Sequence, residues 1–469
     1  MQIPILSGIY SDNGPDIRQS YPVNLVPVPA DNGVSAGYLR PADGLIAIGD
    51  GANGVCRGTF AWQGVAYFVS GTELVRMDAN NNTTTIGTLA DGGPVAWAQG
   101  FDRLGIASGG TLYYLALDGV TLTTVTDVNA GVVLDAIWVD GYWMVTDGEF
   151  IAVSDLTNPT VFNPLKYAGS ESDPDPILAL QRLRNEVYAI NRNSIECFDN
   201  VGGTGFPFDR IDGAKITKGA IGTNAVCVYL EALAFVGSGY NEAPGVYLGQ
   251  NAQASKISTV EIDRLLATYS EADLSTLVLE TRNDNGHQHL YMHLPDRCMV
   301  FDAAASAALG QQVWFCLTSS LAGFNVYRAR HFCWIFDKWL CGDPTNFTIG
   351  YLSQTISSHW GEPVRWEFGT AIVYSESRGA MFHALELVSL TGRIAVGATP
   401  LISTSWSTDG QVWSQDRSIS AGTTGDRAKR LVWLQQGYMR TMRMQRFRGD
   451  SSAHLSFARL EATIEGMAH

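Results

Sequence analysis

The sequence predicts an all-β protein, a β-propeller of six or seven blades followed by a C-terminal β-sandwich-like domain. Three observations predict it. A short meander led by tryptophan recurs, opening at Ala61-Trp62-Gln63-Gly64, at Ala96-Trp97-Ala98-Gln99-Gly100 and at Ala136-Ile137-Trp138-Val139-Asp140-Gly141, a spacing of 35 to 41 residues. Units of that length with three or four short strands are the signature of propeller blades, because one such sheet cannot bury both faces alone. The composition agrees: 49 glycines and 10% aromatics against 16% charged residues suit a turn-rich β protein with large buried surfaces. Finally, the repeat fades after about Tyr351 while strand-like runs continue, and 469 residues is more than one compact domain needs.

Taken in order, residues 1–50 are rich in Pro and Gly and poorly periodic. They read as an N-terminal extended arm that supplies an edge strand to a later sheet. Residues 51–355 read as the propeller, with weaker echoes of the meander at 180–198, 225–248, 278–301 and 326–352. A turn-dense insertion at 154–176 contains Glu171, Asp173 and Asp175 among prolines. It lacks the ligand spacing and turn glycine of a calcium loop, so a solvated rim loop is expected. A short helical insertion is predicted near 258–275. Val260, Ile262, Leu265, Leu266 and Tyr269 recur at helical spacing, and Ser270 followed by Asp273 is a start signal for a second turn. Residues 356–469 read as a C-terminal β domain.

Little in the chain points to chemistry. Seven scattered cysteines without a C-x-x-C pair indicate buried reduced thiols, not disulfides or zinc. His287, His289 and His293 share strand parity, and three imidazoles can hold zinc. The Asn283-Asp284-Asn285-Gly286 turn before them makes an ordinary exposed hairpin the expectation. Ser407-Thr408-Asp409-Gly410-Gln411-Val412-Trp413 has the look of an Asp-box hairpin, a structural turn that sialidase propellers carry. The chain has one clear copy, outside the repeat region. Sialidase chemistry also needs an arginine cluster for the substrate carboxylate, a Tyr nucleophile and acid partners, so an active glycosidase is not the expectation. No phosphate loop, H-E-x-x-H or nucleophile elbow is present. The expectation is therefore no catalytic residue, no cofactor and no metal.

A net charge of −15 argues against whole-protein attraction to nucleic acid or anionic membranes. No apolar run is long enough to span a bilayer, and Met1-Gln2-Ile3-Pro4-Ile5-Leu6 lacks the basic start of a signal peptide, so a protein made in the cytoplasm is expected. Against this acidity stand seven cations within 22 residues: Arg427, Lys429, Arg430, Arg440, Arg443, Arg446 and Arg448. On a strand, Arg440, Arg446 and Arg448 share one face and Arg443 takes the other. Contact with a DNA backbone is one role for them, and an intersubunit patch answering a neighbour's carboxylates is the preferred one.

The order of these pieces resembles the packaged-DNA-stabilisation proteins that form the tail hub of short-tailed bacteriophages. The resemblance rests on Tyr21-Pro22-Val23-Asn24-Leu25, Ser35-Ala36-Gly37-Tyr38-Leu39-Arg40 and Gly54-Val55-Cys56-Arg57-Gly58. It continues through Asn193-Ser194-Ile195-Glu196-Cys197-Phe198, the helical stretch before Ser270, Cys341-Gly342-Asp343, the Ser407 turn and the late arginine-rich strand. Pro41-Ala42-Asp43-Gly44-Leu45 departs from the tighter Pro-Gly turn expected there. The resemblance implies a structural protein of the virion tail, assembled in the host cytoplasm. It implies a homo-oligomeric ring, six copies, beneath the portal and the head-to-tail adaptor ring. Such a hub extends the channel for packaged double-stranded DNA, retains the genome, and carries the tail fibre or tailspike and the tail needle or tip. Tyr21, Asn24, Leu25, Tyr38, Leu39 and Arg40 become candidate arm contacts. The alternative reading is a carbohydrate-binding or glycan-cleaving propeller of a tail appendage.

Overall fold

The computed structural model describes residues 2–3, 9–11, 18–29, 37–170, 172–203, 205–374, 379–410 and 412–467. Of the residues singled out above, Met1, Pro4, Ile5, Leu6, Ser35, Ala36, Glu171 and Gln411 lie outside them.

Successive hairpins build seven antiparallel sheets. The first runs Cys56–Trp62, Val65–Ser70, Glu73–Met77 and Thr83–Thr88, each strand paired with the next. The second to fourth begin at Ala96–Gln99, Asp135–Val139 and Ile177–Leu183 and follow the same meander. In the fifth, Gly219–Ala220 and Val226–Tyr229 both pair with Ala232–Ser238, and the sixth spans Val278–Asp284 to Trp314–Leu317. The seventh takes Arg330–Ile335, Lys338–Gly342 and Thr348–Ser353 and is completed by Gly44–Asp50, a strand that precedes the first sheet.

The tight turns follow from sequence. Gln63-Gly64, Asp140-Gly141 and Asn285-Gly286 have positive φ at both positions, the geometry whose twist matches paired strands.

Each sheet buries its faces against its neighbours. Trp62, Tyr67 and Leu74 of the first sheet share a core with Leu104 and Leu115 of the second. Tyr114 then packs with Trp143 of the third, their rings 4.8 Å apart. Met144 meets Leu180 of the fourth, and Ile190 meets Leu233 of the fifth. Val236 packs with Leu290 of the sixth, and Val300 with Leu352 of the seventh. Leu340 and Ile349 close the circle on Phe68 and Met77 of the first. From the second sheet round to the seventh and back to the first, the leading strands, Val226–Tyr229 in the fifth, lie side by side, so they line the inside of the ring.

Two buried polar groups reinforce these seams. Arg57 donates to the carbonyls of Gly71, Ala90 and Gly93 and to Ser108 Oγ, stitching the first sheet to the second without a carboxylate. Asp135 accepts the Ala136 and Leu180 amides at 2.8 Å, joining the third sheet to the fourth.

The predicted helical insertion is two short helices, α1 (Val260–Leu266) and α2 (Glu271–Ser275). Thr259 caps α1, whose Ile262 and Leu266 are buried, and Ser270 with Asp273 forms a full capping box on α2. A third helix, α3 (Ala303–Leu309), was not expected. Asp302 caps its start and Gly310, at φ 66°, ends it.

The C-terminal domain is a sandwich of two sheets. One has the order Leu25–Pro29, Gly37–Pro41, Phe457–Gly466, Ala380–Ser389, Leu431–Met439, with Gln2–Ile3 also on Phe457–Gly466. The other has the order Arg365–Gly369, Met442–Asp450, Leu401–Ser407, Arg417–Ser420, with Val373–Tyr374 also on Met442–Asp450. Phe368, Phe382, Leu385, Trp433, Phe447 and Phe457 fill the space between. The N-terminal segment is thus shared, with Gln2–Ile3, Leu25–Pro29 and Gly37–Pro41 in the sandwich and Gly44–Asp50 in the ring.

All seven cysteines are unbridged, and all but Cys227 are buried. Burial pushes the Cys56 thiol up to about 12, which keeps it protonated. No helix among the described residues is long and apolar enough to cross a membrane.

Candidate functional site: the joint and the charged strand

Among the contacts that hold ring and sandwich in one orientation is a four-residue crossing at residues 21–24. Val23 exchanges backbone hydrogen bonds with Glu367 of the sandwich, 2.8 and 3.1 Å, while Cys316 of the sixth sheet donates to Pro22 O and accepts from Asn24 N, both at 2.8 Å. Asn24 does the rest with its side chain. Its Nδ2 donates to Thr318 O at 2.9 Å and to Arg365 O at 2.7 Å, and its Oδ1 accepts the Thr318 amide at 3.0 Å. The backbone there is left-handed, φ 51°, which asparagine tolerates better than most side chains.

Around this point the candidate arm residues turn inward. Tyr21 packs on the core between the fifth and sixth sheets and hydrogen-bonds the cap residue Thr259, and burial raises its hydroxyl well above the ordinary value. Leu25 and Leu39 belong to the sandwich core. Arg40 donates to Asp43 at 2.8 Å. Asp43 in turn lies 2.6 Å from Arg282, whose guanidinium also meets Asp284 at 2.5 Å. Burial works to raise the Asp43 carboxyl, but Arg282 and Arg40 prevail and hold it below the usual range. Of the six candidates only Tyr38 is substantially exposed, at 37%.

The seven late cations do not form one patch. Arg443 is 1% exposed, inside the sandwich, with its guanidinium 4.5 Å over Phe382 and 5.1 Å over Trp406. It donates to Gln436 O at 2.6 Å and to Gln445 at 3.1 Å, and burial with no carboxylate beside it lowers it to about 10. Arg446 and Arg448 share the opposite face, as strand parity requires. Arg446 lies over Trp413 at 4.1 Å and Arg448 pairs with Asp416. Arg430 is held by Glu386. Arg427, Lys429 and Arg440 have no ion pair among the described residues.

The expected exposed histidine hairpin is corrected. The turn is where it was predicted, but His287, His289 and His293 are 8%, 1% and 2% exposed because this strand is the second of its sheet, covered on both faces. His293 Nε2 lies 2.6 Å from Glu280, which accepts the His331 and Phe332 amides and so links the sixth and seventh sheets. His287 Nδ1 lies 2.5 Å from Asp302 Oδ2. Burial holds His289 below its ordinary value, leaving a neutral ring at neutral pH.

The acidic insertion is tied down: Asp173 meets Lys215 at 2.5 Å, and Asp175 accepts the Asn193 amide at 2.6 Å. The Asp-box turn is structural too. Ser407 Oγ accepts the Asp409 and Gly410 amides, Asp409 accepts that of Val412, and Trp413 Nε1 donates to Gly410 O.

Residues missed by the sequence reading are Asn24 as a stitch between domains, the Asp43–Arg282–Asp284 cluster and Asp302. Only Asp302 had a local signal, a cap residue before an alanine run.

Known proteins resemble this chain over both domains. Residues 1–357 match the family described as bacteriophage P22 Gp10, beta-propeller, and residues 365–465 that described as bacteriophage P22 Gp10, beta-sandwich. The tail hub protein gp10 of Salmonella phage P22 is 27% identical over 460 residues, covering 94% of each chain. Among solved structures, the Neurospora crassa Pan2 WD40 domain aligns with a TM-score of 0.40 at 10% identity, over 64% of this chain and 89% of that one. PorZ of Porphyromonas gingivalis aligns with a TM-score of 0.41 at 10% identity, over 80% and 46%.

Proposed function

The chain belongs to the bacteriophage P22 Gp10 family, and from that premise we propose that it works as a ring-forming hub through which packaged DNA leaves the capsid. It is a structural component of a phage tail, a tail hub, and not an enzyme. The finer reading is a ring of six copies seated beneath the portal and adaptor ring, which extends the DNA channel, retains the genome until infection, and anchors the fibre or tailspike and the needle or tip. The observation that carries it is that both Gp10 domains are matched in order along one chain. What supports it physically is the joint at residues 21–24, which makes two domains one block able to bear load between partners.

The exposed cations Arg427 and Arg440, with Lys429, are proposed as part of the contact between copies, answering carboxylates on an acidic neighbour. A net charge of −15 suits a channel wall that repels phosphates, so that DNA slides instead of sticking. Electron microscopy of the purified chain mixed with its adaptor rings tests the reading. A six-fold ring that prolongs the adaptor channel is expected, weakened by the double change R427E/R440E and by salt. A chain that stays monomeric and never joins the adaptor refutes it. Neutralising carboxylates mapped to the channel should slow DNA ejection, and unchanged ejection kinetics would remove the sliding argument.

A further inference from the structure

The sixth sheet contains a donor set that the hub role does not use. His287 and His289 are two apart on one strand and so face the same way, their rings stacked with centroids 5.2 Å apart at 26°. Asp302 on the next strand is the register partner of His289. Its Oδ2 lies 2.5 Å from His287 Nδ1 and 3.4 Å from His289 Nε2, and one donor atom from each residue lies within 4.8 Å of the others. Asp302 is fully buried.

A second observation concerns His289 itself. Its Nδ1 makes no hydrogen bond among the described residues although the residue is 1% exposed, and its Nε2 faces only the Asp302 carboxylate at 3.4 Å. Buried polar atoms in a folded protein almost always have partners, and each orphan calls for an explanation. A neutral imidazole beside a carboxylate, with a lone pair facing no donor, is what a metal ion requires.

We propose that His287, His289 and Asp302 bind one divalent transition-metal ion, zinc by preference, as a structural clamp within the sixth sheet. Two imidazoles and one carboxylate suit zinc, with ligand bonds of about 2.0–2.2 Å and tetrahedral ligand-to-ligand edges of roughly 3.3 Å. The Nδ1–Oδ2 edge must open by about 1 Å and the longest edge close by about 1.5 Å, which side-chain rotation supplies. His293 is no ligand, because it is turned to Glu280. The guanidinium of Arg282, opposite His289 in register, is already countered by Asp43 and Asp284, so it does not leave the site cationic. His287 is the least buried of the three ligands, at 8% exposed. The ion would fix two strands and the start of α3, which packs on the sandwich strand Leu25–Pro29, and so stiffen the region beside the joint.

The test uses full-length protein purified without a histidine tag and freed of metal by a chelator. Titration with cobalt(II) should give the visible bands of a tetrahedral site saturating at one equivalent, and zinc should displace them. Zinc should raise the melting temperature of the wild-type chain by about 2 °C or more. In His287→Ala, and in Asp302→Asn, which keeps a capping oxygen for α3, cobalt affinity should fall at least about 100-fold. Absence of cobalt bands in the wild type, or binding that survives both substitutions, overturns the proposal. Should either variant fail to fold, the wild-type titration decides it alone.

Discussion

Asn24 lets the joint be broken at one residue. In Asn24→Gly the left-handed backbone is kept without strain, while three side-chain hydrogen bonds of 2.7–3.0 Å disappear. At a net 0.5–1.5 kcal/mol each, the loss is about 3 kcal/mol, since the Thr318 amide and two carbonyls are left in a place water does not reach easily. Asn24→Ala loses the same bonds and also puts a Cβ at φ 51° with no side-chain bond to offset it, which costs about 1 kcal/mol more. Because these bonds run to the sixth sheet at Thr318 and to the sandwich at Arg365, the damage falls on the connection and not on either core. Urea denaturation followed by tryptophan fluorescence should show a lower midpoint in Asn24→Gly and a lower one still in Asn24→Ala. Hydrogen exchange should speed up first at Thr318 and Glu367. An Asn24→Gly loss below about 1 kcal/mol, or an Ala variant no worse than Gly, would refute the reasoning.

Other substitutions probe the seams and the sandwich interior. Burial outweighs the two amide donors at Asp135 and raises its carboxyl to about 7, so on this group's account folding favours the protonated form. Its stabilising effect is then full below about pH 4 and fades as pH rises through about 7, on the order of 4 kcal/mol in all. Asp135→Asn should flatten that slope in melting curves between pH 4 and 8, and an identical slope in both proteins would remove the claim. Gly105→Ala places a Cβ 2.4 Å from Cζ3 of Trp143 across the second seam, so a loss of about 1–3 kcal/mol in chemical denaturation is expected, and a neutral result would mean the seam yields. Arg443→Met fills the same space without a buried charge and should stay within about 1 kcal/mol of wild type, whereas Arg443→Ala should lose about 3 kcal/mol. If the two fall equally, the charge and not the volume holds the sandwich.

The sequence showed the ring where local chemistry repeats. Asp140-Gly141 and Asn285-Gly286 announce their hairpins, and the amphipathic spacing from Val260 with the Ser270/Asp273 cap announces α1 and α2. Leu230-Glu231 and Phe336-Asp337 adopt the same positive-φ turn with no residue that prefers it, so tertiary packing imposes it and the repeat looked weaker there. α3 escaped because an alanine run has no amphipathic period, leaving only Asp302 and Gly310 as signals. Strand parity separated Arg443 from Arg446 and Arg448 but could not tell which face the second sheet covers. The histidines failed for the same reason: parity is local, whereas burial depends on the strand's place in the sheet.

The path of the N-terminal segment ties these results to the proposed role. Leu45 pairs with Leu352, so the ring stays open until nearly the whole propeller has been made and the earliest strand meets the last. The residues just before it pair within the sandwich, where Leu39 meets Phe457, so a single stretch is strand to one domain and closure to the other. Two domains joined by a flexible linker would let the sandwich swing against the propeller. Here a pull on the sandwich sheet is carried along Leu25–Pro29 into the crossing at Asn24 and across hydrogen bonds to the sixth sheet. Rotating one domain about the other must break those bonds together with the Val23–Glu367 pair, so the barrier to flexing is that of local unfolding. The role proposed above, a hub held between a capsid and its appendages, calls for that stiffness. The fold achieves it by threading one strand-bearing segment through both bodies.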